Sequence, residues 1–162
     1  MDQVGFLFDL ERCTGCDACE AACRDRHDVP DGRGRLVIRD LEGLFSGKPY
    51  VYHLPATCFH CAEPPCVAAC PEGALVKREA DGVVLLEAER CTGCLACLDV
   101  CPFDALRADH HKGVVAKCDY CVGDPAGGGP SCALACPFEA LTVGRLADLR
   151  ARQGTAESVR GF

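Results

Sequence analysis

The sequence predicts an α+β chain built as two small, similar units, the second inserted in the first and related to it by pseudo-twofold symmetry. Three observations predict it. Sixteen of the 162 residues are cysteine, in four groups of four that repeat a common internal spacing. Short apolar runs of strand length, bounded by Gly, Pro and Asp, flank these groups. Large core-filling side chains are scarce: aromatics make up 6%, tryptophan is absent and Met1 is the only methionine. The units must therefore be organised around something other than apolar bulk.

The cysteine spacings say what that is. The groups are Cys13, Cys16, Cys19, Cys23; Cys58, Cys61, Cys66, Cys70; Cys91, Cys94, Cys97, Cys101; and Cys118, Cys121, Cys132, Cys136. The first and third read C-x2-C-x2-C-x3-C, the ferredoxin run in which three thiolates hold one iron-sulfur cluster and the fourth ligates another. The second and fourth lengthen only the middle gap, to four and ten residues. Four [4Fe-4S] clusters use all sixteen thiols, so the units are expected to be ferredoxin-like and to hold two clusters each. In three groups the last cysteine precedes a proline, Pro71, Pro102 or Pro137, which fixes φ where the chain leaves the cluster; the first group has Arg24. A disulfide scaffold would call for a secretory context, whereas Met1 to Leu10 is short and carries Asp2 and Asp9 without a basic region. Zinc would use two cysteines of each motif and leave the others surplus.

Taken in order, Val4 to Leu10 is expected to be a strand entering the first cluster loop, and Asp17 to Asp25 a helical turn leaving it. His27 to Leu54 is a cysteine-free insert whose Gly32, Gly34, Gly43 and Gly47 mark turns around Arg35 to Ile38 and Tyr50 to Leu54, which read as two strands of a hairpin or as extended arms. Ala74 to Val76 and Val83 to Glu87 flank the turn Ala80-Asp81-Gly82, a hairpin between the second and third groups. Ala105 to Arg107 is the next strand, and Val114 to Lys117 begins the return to the outer unit. Gly123 to Pro130 is a loop, either plain linker or partner contact. Leu141 to Phe162 is a polar tail with a short helix at Leu146 to Arg152. The implied division is 1–50 plus 112–145 for the outer unit, 51–111 for the inner unit and 146–162 for the tail. Each unit is near the size at which apolar burial alone is marginal, so the metal-free chain is expected to be unfolded or molten.

The formal charge of −7 understates the acidity. Four clusters, each two positive charges against four thiolates, take the total to roughly −15, which argues against nucleic-acid binding. Arg145, Arg150, Arg152 and Arg160 make the tail an exception. His60 lies between two ligand cysteines: either it touches the cluster from outside the ligand set or it is a partly exposed loop histidine. His110 and His111 belong to a polar turn. Lys77, Arg78, Arg107 and Lys117 adjoin cluster motifs, as charge-offsetting groups or as ordinary surface residues. There is no dinucleotide fingerprint and no P-loop, and no thiols remain for a further catalytic cluster, so the chain is expected to be non-catalytic. Without an apolar run of membrane-spanning length or an export signal, the expected location is cytoplasmic, unless a signal-bearing partner carries the chain out.

The order of the four groups, the run Cys58-Phe59-His60-Cys61-Ala62-Glu63-Pro64-Pro65-Cys66 and the stretched fourth group resemble the iron-sulfur subunit of the dimethyl sulfoxide reductase family over about Val4 to Val143. That resemblance implies cluster ligand sets of Cys13, Cys16, Cys19 with Cys136; Cys118, Cys121, Cys132 with Cys23; Cys58, Cys61, Cys66 with Cys101; and Cys91, Cys94, Cys97 with Cys70. It implies a one-electron relay to a catalytic molybdenum- or tungsten-pterin subunit, with aldehyde or formate oxidation as the expected reaction and a second redox partner at the far end. The Cys13 cluster would face the catalytic partner and the Cys91 cluster would lie farthest from it. Hydrogenase or carbon monoxide dehydrogenase partners are the alternative, and a self-associating conducting filament is an alternative of another class.

Overall fold

The computed structural model describes residues 3–29, 34–123 and 128–155, with side chains through Arg152. It contains β1 (Val4–Phe8), α1 (Ala18–Arg26), β2 (Val37–Phe45), β3 (Lys48–Ala56), α2 (Pro65–Ala68), β4 (Leu75–Lys77), β5 (Val84–Leu86), α3 (Ala96–Asp99), β6 (Arg107–Asp109), β7 (Val114–Ala116), α4 (Ser131–Leu134), β8 (Leu141–Arg145) and α5 (Leu146–Thr155). The strands form four separate antiparallel pairs, β1 with β8, β2 with β3, β4 with β5 and β6 with β7. The β1–β8 pair, Val4 opposite Arg145 and Phe8 opposite Leu141, brings the two ends of the chain together.

The insert takes the hairpin, one of the two readings the sequence left open, with longer strands than expected: β2 and β3 pair over nine residues each and are closed by Ser46 and Gly47. Both turn residues have positive φ, 51° and 78°, the conformation whose twist matches two flanking strands, and Gly47 tolerates it without strain. Gly43 is not a turn: it pairs with Tyr50, and a Cβ there would lie 2.7 Å from the Tyr50 hydroxyl, so the missing side chain makes room for the ring. The strand expected at Ala105 to Arg107 begins at Arg107, because Ala105 and Leu106 are drawn into the interior, 5% and 2% exposed. Gly32 and residues 124–127 of the Gly123 to Pro130 loop lie outside the described residues.

The tail helix is anchored. Leu149 is buried, Leu146 packs against Gly5 where a Cβ would overlap it, and the Leu146 N–H donates to the Gln3 carbonyl at 2.8 Å. Among the described residues the core forms three small clusters, and each contains cysteines. Cys66 and Cys97 pack with Leu75, Val84, Leu106 and Val115. Cys58 and Cys118 pack with Val83, Ala105 and Tyr120, and Cys23 and Cys132 with Leu36 and Leu141. No helix among the described residues is long and apolar enough to cross a membrane.

Candidate metal centres

Each cysteine group is a loop whose backbone reverses direction inside the motif. Gly15 and Asp17 in the first group, and Gly93 and Leu95 in the third, have φ of 67°, 56°, 68° and 64°. At Gly93 the close approach of the Gly113 carbonyl oxygen, 2.5 Å from a would-be Cβ, leaves glycine alone able to fit. In the second and fourth groups the corresponding reversals fall on His60 (47°) and Tyr120 (54°). Their N–H groups donate to the Sγ of Cys58 and Cys118, both at 3.5 Å.

The cysteine-proline steps have a common exit. Three residues after the cysteine, Gly73, Asp104 and Glu139 take φ of 56°, 48° and 52°. The next N–H then turns back: Ala74, Ala105 and Ala140 donate to the Sγ of Cys70, Cys101 and Cys136 at 3.2, 3.5 and 3.3 Å. Proline fixes the first φ and the left-handed residue completes the reversal, so the sequence Cys-Pro-x-x-Ala builds an amide directed at its own sulfur.

These loops bring distant cysteines together. One apolar cavity is lined by Cys13, Cys16, Cys19 and Cys136, with Phe8, Ile38 and Pro55. A second is lined by Cys58, Cys61, Cys66 and Cys101, with His60 and Val84, and a third by Cys70, Cys91, Cys94 and Cys97, with Leu75 and Val115. Cys132 sits close enough to Cys118, Cys23 and Cys121 for their charges to add to burial in pushing its thiol up. Burial likewise pushes Cys19 and Cys97 up to about 11 and Cys118 up to about 12. Cys70 moves the other way: burial raises it, but N–H groups of Leu75, Ala74, Glu72 and Gly73 outweigh that and hold it below the ordinary thiol value. Such amides favour a thiolate, which is the form that binds metal.

Comparison with known proteins bears on what these sites hold. Models of a 4Fe-4S dicluster domain match residues 49–146 and 12–75. The protein is 38% identical to a component of the anaerobic dimethyl sulfoxide reductase of Haemophilus influenzae, over 98% of its own length and 82% of the relative's. The chain belongs to the iron-sulfur subunits of the molybdopterin oxidoreductases. It is also 38% identical to a thiosulfate reductase electron transfer subunit of Salmonella typhi, covering 90% of its own length and 77% of the relative's. Identity to a sulfite dehydrogenase subunit of Allochromatium vinosum is 33%, over 99% of its own length and 76% of the relative's. Like the other iron-sulfur subunits of this family, it is an electron-transfer component of a complex and not the catalytic subunit. Two dicluster domains and sixteen cysteines correspond to four [4Fe-4S] clusters.

The residues of this iron-sulfur subunit fit that cofactor. His60 is fully buried, where the sequence left open an exposed loop position. Its Nδ1 accepts from the Val84 N–H at 2.8 Å, so the proton of the neutral ring is on Nε2. Burial first, then the charges of Lys117 and Lys77, lowers its pKa to about 3. The buried Nε2 has no partner among the described residues, although His60 lines a cavity of four thiols; sulfide would supply the acceptor.

The other flanking residues divide. His110 and His111 sit in the polar turn, where Asp109 caps the His111 and Lys112 amides. Arg78 and Arg107 are held by nearby acids, Asp81 and Asp104. Lys117 is buried, contrary to a surface reading, and Lys77 is half-buried.

One group went unnoticed in the sequence. His27 Nε2 lies 3.8 Å from Cys121 Sγ and 3.7 Å from Asp119 Oδ1, and the same carboxylate meets Arg35 Nη1 at 2.5 Å. His27 is 92 residues from Asp119, so no local pattern could have announced it.

Proposed function

We propose that this chain is the electron relay of a molybdenum- or tungsten-pterin oxidoreductase, its clusters held by the four ligand sets that the sequence resemblance implied. The observation that carries this reading is the convergence of distant motifs: three cavities each combine three cysteines of one group with the last cysteine of another. The cluster supplies one-electron acceptance and release when bound. The chain supplies thiolates, amides aimed at sulfur and an apolar wall that keeps water away. The division into an outer unit, 1–50 plus 112–145, and an inner unit, 51–111, with pseudo-twofold symmetry, belongs to the same proposal. It is supported by the β1–β8 pairing and by the matching backbone reversals at His60 and Tyr120.

We infer that the Cys13 cavity faces the catalytic subunit and that the Cys91 cavity is the far end. Ile38 and Pro55 of the β2–β3 hairpin wall the Cys13 cavity, and the same hairpin carries Leu44 and Phe45 at its tip, 75% and 76% exposed. An apolar tip beside that cavity suits a protein partner. The relatives are named for sulfoxide, thiosulfate, tetrathionate and sulfite enzymes, which favours an oxidised sulfur compound as the partner's substrate; aldehyde or formate oxidation is the second reading, from the sequence resemblance. We place the complex in the cytoplasm, where a reducing environment suits exposed thiolates such as Cys16 and Cys94.

The test is anaerobic purification from the native host with partners retained. Expected are about sixteen irons per chain, four for each cluster, together with molybdenum or tungsten. Nickel instead would move the chain to a hydrogenase or carbon monoxide dehydrogenase, and long filaments under the microscope would favour the self-associating form. For the ligand sets, Cys13→Ser and Cys136→Ser should abolish the same paramagnetic signal. Loss of two different signals would refute the pairing.

A further inference from the structure

Lys117 immediately precedes Cys118 and is 3% exposed. Its Nζ donates to the carbonyl oxygens of Val84 and Cys118, the latter at 2.6 Å. No carboxylate pairs with it among the described residues. The two carbonyls take two of its three donors but do not neutralise its charge. A buried ammonium without a counter-charge is strongly unfavourable, so a fold that keeps one has an anion within reach other than a carboxylate.

Its surroundings say which anion. Val84 lines the cavity of Cys58, Cys61, Cys66 and Cys101, and Cys118 opens the fourth cysteine group. Lys117 thus bonds the wall of one group and the backbone of the other. The His60 and Tyr120 rings stack 4.3 Å apart between the same two groups. Lys77 adds a second ammonium nearby, donating to the carbonyls of His60, Cys61 and Gly82 at 3.1, 2.8 and 2.8 Å.

We propose that Lys117 is a built-in counter-ion shared by the two clusters flanking the His60–Tyr120 stack, those of Cys58, Cys61, Cys66, Cys101 and of Cys23, Cys118, Cys121, Cys132, and that it raises both reduction potentials. The proposal rests on the cluster ligand sets proposed above. Reduction adds one negative charge to a cluster that is already anionic, and a fixed cation in a dry setting favours the reduced state. Lys117 is a positioning residue for charge: it ligates nothing and accepts no electron.

The experiment is an anaerobic redox titration followed by electron paramagnetic resonance, with iron content, on the complete chain. The variants are Lys117→Gln, Lys117→Met, Lys117→Arg and, as a control at the exposed first residue of β3, Lys48→Gln. In the two neutral variants, two of the four midpoints are expected to fall by about tenfold in the reduction equilibrium, about 59 mV for one electron, while the other two stay. Lys117→Arg and Lys48→Gln should keep wild-type values. If both neutral variants lose iron while Lys117→Arg retains it, the counter-ion role is supported in its stronger form.

Unmoved midpoints with full iron in the neutral variants would overturn the proposal. So would an equal fall in Lys117→Arg, or iron loss in all three, since packing and not charge would then be responsible. Fewer than four midpoints in the wild type would instead sink the cluster reading itself.

Discussion

Three glycines with nearly the same φ offer a graded test of how tightly the cluster loops are built. Gly113, in the β6–β7 turn, has φ of 66° and nothing within 4 Å of a would-be Cβ. Gly15 has φ of 67° and the His53 ring 2.6 Å away, and Gly93 has φ of 68° and the Gly113 carbonyl oxygen 2.5 Å away. Alanine at Gly113 bears only the left-handed conformation, about 1 kcal/mol. At Gly15 the obstacle is a side chain that can swing aside, at the expense of its exposed 2.7 Å bond to Asp40, adding about 0–1 kcal/mol. At Gly93 it is backbone, and the β6–β7 turn must shift, adding about 1–3 kcal/mol.

The expected order of damage is therefore Gly113→Ala, then Gly15→Ala, then Gly93→Ala. Because cluster proteins unfold irreversibly as metal is lost, the assay is a rate: anaerobic bleaching of cluster absorbance in denaturant, with iron counted in the surviving protein. Gly93→Ala should bleach about fivefold faster than Gly113→Ala at the least. Equal rates for those two would refute the claim that the third loop is seated against the turn at Gly113.

Removing the iron with a chelator should leave a chain without fixed tertiary packing, visible as collapse of amide dispersion in NMR; native-like dispersion in the stripped chain would show that the apolar clusters suffice alone. Iron affinity should rise from pH 7 to pH 9. Burial holds the free Cys118 thiol at about 12 and Cys19 and Cys97 at about 11, so each free site stays protonated over this range and gives up a proton on taking metal. Chelator competition, corrected for the chelator's own protonation, checks this, and equal affinity at the two pH values counts against it. Replacing Leu44 and Phe45 with serine should leave iron content unchanged and weaken co-purification with the catalytic partner; undiminished recovery would place the partner elsewhere.

Cysteine spacing made the cofactor legible because ligand geometry is local: two- and three-residue gaps are set by the loop itself. Element positions followed wherever a motif fixed them, as with the β4–β5 hairpin between the second and third groups. The strands of the insert were read too short because Gly43 was taken as a turn marker, whereas its role is to admit the Tyr50 ring from the opposite strand. Long-range burial was equally invisible. His60 and Lys117 look like ordinary polar loop residues, and it is Val84, 24 and 33 residues away, that gives each its long-range partner. The Leu146 and Leu149 anchors were masked by the arginines around them.

The one cysteine group without a proline shows what the proline is for. In the other three, the amide four residues past the last cysteine turns back to its sulfur. After Cys23 comes Arg24, α1 continues to Arg26, and the amide of His27 donates to the Cys23 carbonyl at 3.3 Å. That N–H is used up in helix and is lost to sulfur. The deficit is met from another segment: burial pushes the Cys23 thiol up, and the N–H groups of Leu36 and Arg35, at the foot of β2, oppose it. Arg35 in turn is held by Asp119, whose neighbour Cys118 belongs to the same proposed ligand set as Cys23. The insert is thus part of the metal centre. It carries the apolar hairpin at one end and supplies sulfur-directed amides at the other, so a partner seated on the hairpin would be coupled through β2 to the cluster that Cys23 completes.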